Sequence, residues 1–534
     1  MMMAHRPGGV VMGERNYRVH ALLVLLTLSL SSIYVATHGT FRESRISRTE
    51  QQGTSVLSYT PHGPITINGN ADFEDQGWPG SGTEDDPYVI EGLRIIDSST
   101  CITVSNTEVY FEIRDCLISA ALPTSSDGIV FDNVTRGTVR DCVIELHGYG
   151  VRFSSSPDCT VADSILSSNG CGVFIDHSSD CIIQNNTIND SEWGGISFWI
   201  VRDSIIENNT ISDTGGKGIS AKFAYNSIYT ANIVRNSSGD GFFFHYSNGT
   251  FTDNRAVKNL VGFYFLYGSA SIMIGNIASN ATDHGFSFIS HKHLTMTMNS
   301  AINNGRTGFL LDGDECTLTS NAAISNGERG FLLSGSDCML SNNTAADNVC
   351  GICLSRSSQD ASLSLNRLYD NDQHNAVDNG TANTWDNGTH GNYWDDYDGE
   401  GVYLIPGSAE SIDNHPYRID NIPPAVDNPE DIVYEHGTTE HNITWNPEDL
   451  NPHSYAVYRN DTVVRTGAWN TSSETITVSI DGLSVGSHTF TLAVRDILGN
   501  EGSDRVLVTV VDTTPPTING PADIEYEYGT TGHT

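Results

Sequence analysis

Lysine and arginine are scarce in this chain, 27 against 65 aspartates and glutamates in 534 residues, for a net charge of −38. A surface so acidic repels nucleic acid, anionic lipid and polyanionic polysaccharide, which leaves cations, neutral glycans and other surface proteins as the partners to expect. Leucine-rich strands with helical returns are missing too, and that excludes a leucine-rich horseshoe. The run Ala21 to Val35 lacks charge altogether and follows Arg6, Arg15 and Arg18. It makes residues 1–37 a signal peptide or an uncleaved signal anchor; either implies export, and the second an N-terminal membrane anchor.

What is present is a period. A phrase of Gly followed by alternating apolar residues recurs about eleven times between 128 and 371, as in Gly128-Ile-Val-Phe131, Gly195-Ile-Ser-Phe198 and Gly285-Phe-Ser-Phe288, at intervals of 21 to 23 residues. A repeat of that length cannot bury an apolar face alone and must stack on its neighbours. The runs are short, β-branched or aromatic, alternate with period two, and are broken by Gly, Asn, Ser and Asp, which is strand-and-turn chemistry. The fold class expected is therefore all-β: a right-handed parallel β-helix with rungs of roughly 22 residues, followed by a β-sandwich.

Rungs of such a coil stack about 4.8 Å apart, so equivalent residues form columns. Residues one and three after each Gly, such as Ile129 and Phe131 or Phe242 and Phe244, point inward. Asn186, Asn209, Asn232, Asn254, Asn276, Asn299, Asn321, Asn343 and Asn366 are spaced by 22 or 23 and form a structural ladder of stacked amides at a bend, where Asn tolerates the left-handed conformation. Cys159 with Cys181, Cys316 with Cys338 and Cys116 with Cys142 occupy equivalent places on successive rungs. Their parallel Cβ vectors disfavour the S–S torsion, so stacked small core residues are expected there in place of bridges.

Residues 38–61 read as a polar linker, 62–127 as an N-terminal cap with the first rungs, 128–371 as the coil and 372–420 as a C-terminal cap. After Pro423-Pro424, seven short alternating strands over 421–512 indicate a sandwich of immunoglobulin or fibronectin type. Residues 513–534 restart the same module: Pro515-Pro516 repeats Pro423-Pro424 at an offset of 92 residues.

Two segments carry a family resemblance. Asn383-Thr-Trp385, Gly391-Asn-Tyr-Trp394-Asp-Asp-Tyr397 and His415-Pro-Tyr417 resemble the closing signature of NosD-like parallel β-helix proteins, common among archaeal surface proteins, and Gly80 to Gly92 resembles their opening segment. The likeness covers roughly residues 62 to 420 and implies a β-helix and, through NosD itself, a link to maturation of a copper enzyme. Many relatives have an Asp-Gly-Asp-Gly-rich loop after the WxDY element; here Asp398-Gly-Glu400-Gly stands instead, leaving Asp395, Asp396, Asp398 and Glu400 as candidate Ca²⁺ ligands without the regular spacing of a calcium loop.

Three functions stay open. Phe174, Phe243 and Tyr264 should face outward, with Trp199 and His245 at strand ends, as a ligand face for the rings of a glycan. A polysaccharide-active lyase or hydrolase is the second reading, but the Gly-His-Gly and Arg-x-Lys elements of hydrolases resembling this fold are absent, and no catalytic residue is assigned. Copper is the third: His291, His293 and Met298 lie close in sequence as soft donors, whereas Met273 and Met296 fall on inward positions.

Overall fold

The computed structural model describes residues 59–534, apart from 419–421, 470, 472–473, 497–498 and scattered positions from 519 on. The expected signal segment, and the expected linker up to residue 58, lie outside the described residues. So does much of 513–534, where the described positions carry no strand.

From Thr60 to Trp394 the chain winds into three parallel sheets of 15, 14 and 13 strands. Sheet 1 starts with Thr60–His62, sheet 2 with Ile65–Asn68 and sheet 3 with Tyr88–Glu91; every third strand joins the same sheet. The Gly-led phrases form sheet 2. Val151 pairs with Ile129 on the rung below and Val173 on the rung above, and the same register repeats along the coil.

The columns are those the period requires. Phe242, Phe263, Phe286, Phe309 and Phe331 stack ring on ring with centroids 4.5 to 4.8 Å apart. Met273 and Met296 are fully buried core neighbours in sheet 3. Eight cysteines are buried free thiols, and the three rung-to-rung pairs are unbridged.

The amide ladder is continuous. From Asn186 to Asn366, each side-chain Nδ2 donates to Oδ1 of the next ladder asparagine at 2.9 to 3.0 Å. The same oxygen accepts the backbone N–H below it, so one buried side chain satisfies a bend that water cannot reach. One detail differs from expectation. The left-handed residue is the one before each ladder asparagine, namely Asn185, Asn208, Ala231, Asp253, Gly275, Met298, Ser320, Asn342 and Leu365, while the ladder residue itself stays outside that region. The preceding residue turns the chain, and the asparagine is then free to aim inward.

Both ends of the coil are covered. The short helix Ala71–Asp75 lays Phe73 on Tyr88 and Phe111 at 4.8 and 5.2 Å. At the far end Trp385 and Trp394 are fully buried, and their indole N–H groups donate to the carboxylates of Asp378 and Asp413 at 3.0 and 2.9 Å. All seven strands expected after Pro424 form, as a five-stranded sheet and an antiparallel pair, Asn442–Trp445 with Ile476–Ser479. Trp445 and Ile476 from the pair share one core with Val457, Leu492 and Val508 from the sheet, the layering of a sandwich. Among the described residues no helix is long and apolar enough to cross a membrane.

Candidate functional site on the outer face of sheet 2

Successive strand residues point to opposite faces. The phrase glycine breaks that rule. A Cβ on Gly150 would stand 2.7 Å from the Gly172 carbonyl oxygen and 3.0 Å from Leu166, so this position points inward, and the following Val151 is buried as well. Two inward positions in a row restart the alternation one residue late. The residue before each glycine therefore shares the outer face with the residue two after it.

That geometry assembles an outward row across neighbouring rungs. The Tyr149 ring stacks on Phe174 at 4.8 Å, with Trp193 edge-on to Tyr149 at 5.9 Å. Lys217 Nζ lies 3.1 Å from the centre of the Phe243 ring, and Phe243 meets Tyr264 edge-on at 5.7 Å. Of the expected ligand-face residues, Phe174, Phe243, Tyr264 and His245 are half-buried on this face or its rim, and Trp199 is 40% exposed. Along the rim toward sheet 3, Phe223, Tyr246 and Tyr267 stack at 5.5 and 5.3 Å, and His245 packs on Tyr246 at 4.4 Å.

Charge sits in the middle of the row. Burial raises the Asp240 carboxyl above the usual carboxylate range, opposed by the nearby Lys217 ammonium. Burial likewise lowers Lys217, opposed by Asp240. Tyr264 is raised by burial and then by the field of Asp240. One rung further, His284 Nε2 lies 3.4 Å from Asp283, and its Nδ1 accepts the Thr307 N–H at 3.2 Å. Arg306 links Asp283 to Glu328 at 3.5 and 3.0 Å, and Arg329 joins Glu328 at 3.0 Å. Burial thus pushes Asp240 and Lys217 each toward its neutral form. Sequence reasoning missed Lys217 and Asp240, because simple alternation places the residue before each glycine on the inner face; Trp193, two before Gly195, lies outside the recurring phrase.

The row ends at Cys350 and Cys353, which are joined by a disulfide, with His374 on the next rung. This pair was also missed, although Cys-x-x-Cys across a phrase glycine is a readable signal once the slip is understood.

The two metal expectations fare differently from the ligand face. His291 is fully buried, with Nε2 3.0 Å from Ser271 Oγ and the ring edge-on to Phe265 and Phe288; burial lowers it to about 4. His293 turns out on a left-handed residue and sits 3.2 Å from Glu315, and Met298 is the left-handed residue beneath Asn299. The three donors do not converge, so this set does not fit copper: His291 and His293 precede the strand Thr295–Thr297 and Met298 follows it, and the left-handed turns at His293 and Met298 send the side chains apart. The acidic turn does not close on calcium either. Asp395 accepts the Asp370 N–H and Asn375 Nδ2 at 2.7 and 2.6 Å, and Asp396 accepts Asn375 Nδ2 and the Tyr403 hydroxyl at 2.9 and 3.0 Å. Asp398 holds the Glu400 N–H at 3.0 Å in an exposed turn. Their oxygens fasten the cap. Among the described residues no three His, Cys, Asp or Glu side chains stand arranged for a metal ion.

Solved structures resemble the chain at low similarity. The A-module of mannuronan C-5 epimerase AlgE6 from Azotobacter vinelandii is 13% identical, over 54% of this chain and 89% of that one, with a TM-score of 0.40. Tailspike protein 3 of bacteriophage CBA120 is 11% identical over 65% and 68%, at 0.39. The catalytic unit of a GH87 alpha-1,3-glucanase from Streptomyces thermodiastaticus is 12% identical over 63% and 71%, at 0.34. No curated protein matches in sequence. A family profile described as "Periplasmic copper-binding protein (NosD)" matches residues 88–250 and 226–399. Those matches take in more than half of the chain and cover the rungs, the Asn ladder and the Trp-capped end, and the chain belongs to the NosD family.

Proposed function

We propose that this is an exported, non-catalytic binding protein whose ligand is a neutral glycan, held along the outer face of sheet 2. One observation carries the reading: rings of Tyr149, Phe174, Trp193, Trp199, Phe243 and Tyr264 gather on one face and rim of one sheet. Apolar patches kept at a surface mark binding sites, and rings beside hydroxyl and charged groups suit a ligand with both apolar faces and hydroxyls. Export is supported by Arg6, Arg15 and Arg18 before Ala21 to Val35, and by the periplasmic description of the family. Retention of the full chain on a glycan array tests the reading. Binding that falls about tenfold or more in Trp199→Ala and Phe243→Ala supports it; no retained glycan refutes it.

A second reading, a polysaccharide-active enzyme, has its own support in Asp240, Lys217 and Tyr264, whose proton affinities are shifted toward the neutral forms of acid and amine. Release of reducing ends or of unsaturated sugars from a glycan panel, abolished in Asp240→Asn, would replace binding with catalysis. The family description adds copper as a third reading, and the donors for it must be sought away from His291.

A further inference from the structure

Phe174, Ser197, Ser220 and Phe243 follow one another up the outward column of sheet 2, each paired in register with the next. Tyr264 continues the column on the rung after Phe243. Two serines thus interrupt a run of rings. Phe174 and Phe243 stand three rungs apart, about 14 Å at roughly 4.8 Å per rung, and both serines between them are half-buried. In the neighbouring outward column the rung of Ser197 carries Gly194, which has no side chain to fill the gap. The outer face is therefore cut by a trench two rungs wide that crosses the coil.

The surfaces of the trench differ in chemistry. Phe174 stacks one face on Tyr149 from the rung below at 4.8 Å, which leaves its other face toward the trench. On the opposite side Lys217, one rung below Phe243, lays its ammonium against that ring, 3.1 Å from the centre. The floor is a hydroxyl pair, Ser197 Oγ and Ser220 Oγ, 2.8 Å apart. Trp199 stands at the rim with Lys222 Nζ 4.5 Å from its ring. A pyranose has an apolar C–H face and a rim of hydroxyls, and these surfaces complement both. Stacked on Phe174 it would lie about 4 Å from that ring, and the width left over holds its hydroxyls below Lys217. A glycan laid along the coil axis would instead pass over two rungs that offer it no ring.

We propose that the trench takes a single uncharged pyranose unit, the end or a branch of a glycan, with its apolar face on Phe174 and its hydroxyls on Ser197, Ser220 and Lys217. The rest of the glycan leaves across the coil past Trp199. This deepens the glycan reading and rests on it: Ser197 and Ser220 become the residues that decide which ligand fits.

The test uses the full chain and neutral cello-, manno- and chito-oligosaccharides, each as the disaccharide and the hexasaccharide. Ser220→Phe fills the trench and completes the run of rings, and the column already accepts Phe at 174 and 243. Affinity should fall about tenfold or more in this variant. Ser220→Ala, which opens no new contact and blocks nothing, should weaken binding about fivefold through the lost hydroxyl. Because one unit is read, the hexasaccharide should bind no more than about threefold tighter than the disaccharide of the same series. Binding kept or strengthened in Ser220→Phe, or affinity that climbs steeply with chain length, would mean a ligand lying along the coil and would overturn the trench while leaving the glycan reading in place. If the wild type retains none of these sugars and no glycan on an array, both fall together. Circular dichroism of Ser220→Phe identifies a variant that has lost its fold, and in that case unchanged affinity in Ser220→Ala overturns the proposal by itself.

Discussion

The backbone N–H of Asn392 donates to Oδ2 of Asp413 at 2.7 Å, and this contact ends the amide ladder that runs up from Asn186. Every lower rung hands its N–H to the asparagine above; Asn392 has no such neighbour, and a buried carboxylate takes the place of one. The same oxygen receives the Trp394 indole at 2.9 Å, and Oδ1 receives the His415 N–H at 3.0 Å. Asp413 thus satisfies the last turn of the coil.

Asp413→Ala should therefore act at the cap. It strands two backbone N–H groups and one indole N–H, buried donors that cost about 1 to 3 kcal/mol each when unpaired, less whatever water can enter. A loss of roughly 3 kcal/mol in denaturant-induced unfolding is expected. A change under about 1 kcal/mol would mean that the cap does not hold the coil.

Within the ladder, the oxygen and the amide group can be separated. Asn276 Oδ1 accepts the Asn254 N–H at 3.0 Å, while its Nδ2 donates to the Phe251 carbonyl and to Asn299. Asn276→Ala removes acceptor and donors and should cost about 2 to 4 kcal/mol. Asn276→Ser should cost less. Ser164 already shows the substitute: on the ladder below Asn186, its hydroxyl accepts the Cys142 N–H at 3.1 Å. Chemical denaturation of the two variants ranks them, and equal losses would assign the ladder's strength to its donors.

The coil was legible because its period repeats without interruption at the positions that matter most. Inward columns such as Phe242 to Phe331, and asparagines 186 to 366, need only the spacing. A second amide ladder, Asn304 to Asn326 to Asn348 at 2.9 and 3.1 Å, was not legible, because Ser191, Thr214, Ser237 and Ala281 interrupt its lower rungs. The outer face was half legible. Phe174 and Tyr264 obey the alternation rule; Lys217, Asp240 and Cys350 do not, since the glycine after each shifts the pleat, and that shift follows from a close approach between rungs that no single strand reveals. The copper donor set met the same obstacle: sequence proximity of His291 and His293 says nothing of a left-handed turn that leaves one buried and the other exposed.

Tyr246 tests the rim of the ligand face. Its φ is 49°, the left-handed region, where a bulky side chain is an outlier and Asn is at home. Such strain costs on the order of 1 to 3 kcal/mol, and stacking on Phe223 and Tyr267 returns about 0.5 to 1.5 kcal/mol per ring pair. The terms nearly cancel, so Tyr246→Asn should unfold within about 1 kcal/mol of the wild type. Glycan retention, in contrast, should fall. A variant that binds as before would remove Tyr246 and its stack from the ligand face.

His291 makes the coil sensitive to acid. Burial lowers its folded-state proton affinity to about 4 from the ordinary 6.5, so the unfolded chain binds the proton more readily. A depressed value of this kind contributes stability that is fully present above the unfolded value and is lost as pH falls from about 6.5 toward about 4. The loss across that window is on the order of 3 kcal/mol. His291→Gln keeps a polar neighbour for Ser271 Oγ but cannot take up a proton in this range. Unfolding measured at pH 7 and at pH 4 should show the variant losing less stability between the two than the wild type does. Identical acid sensitivity in the two proteins would instead mean that His291 titrates freely and is open to solvent.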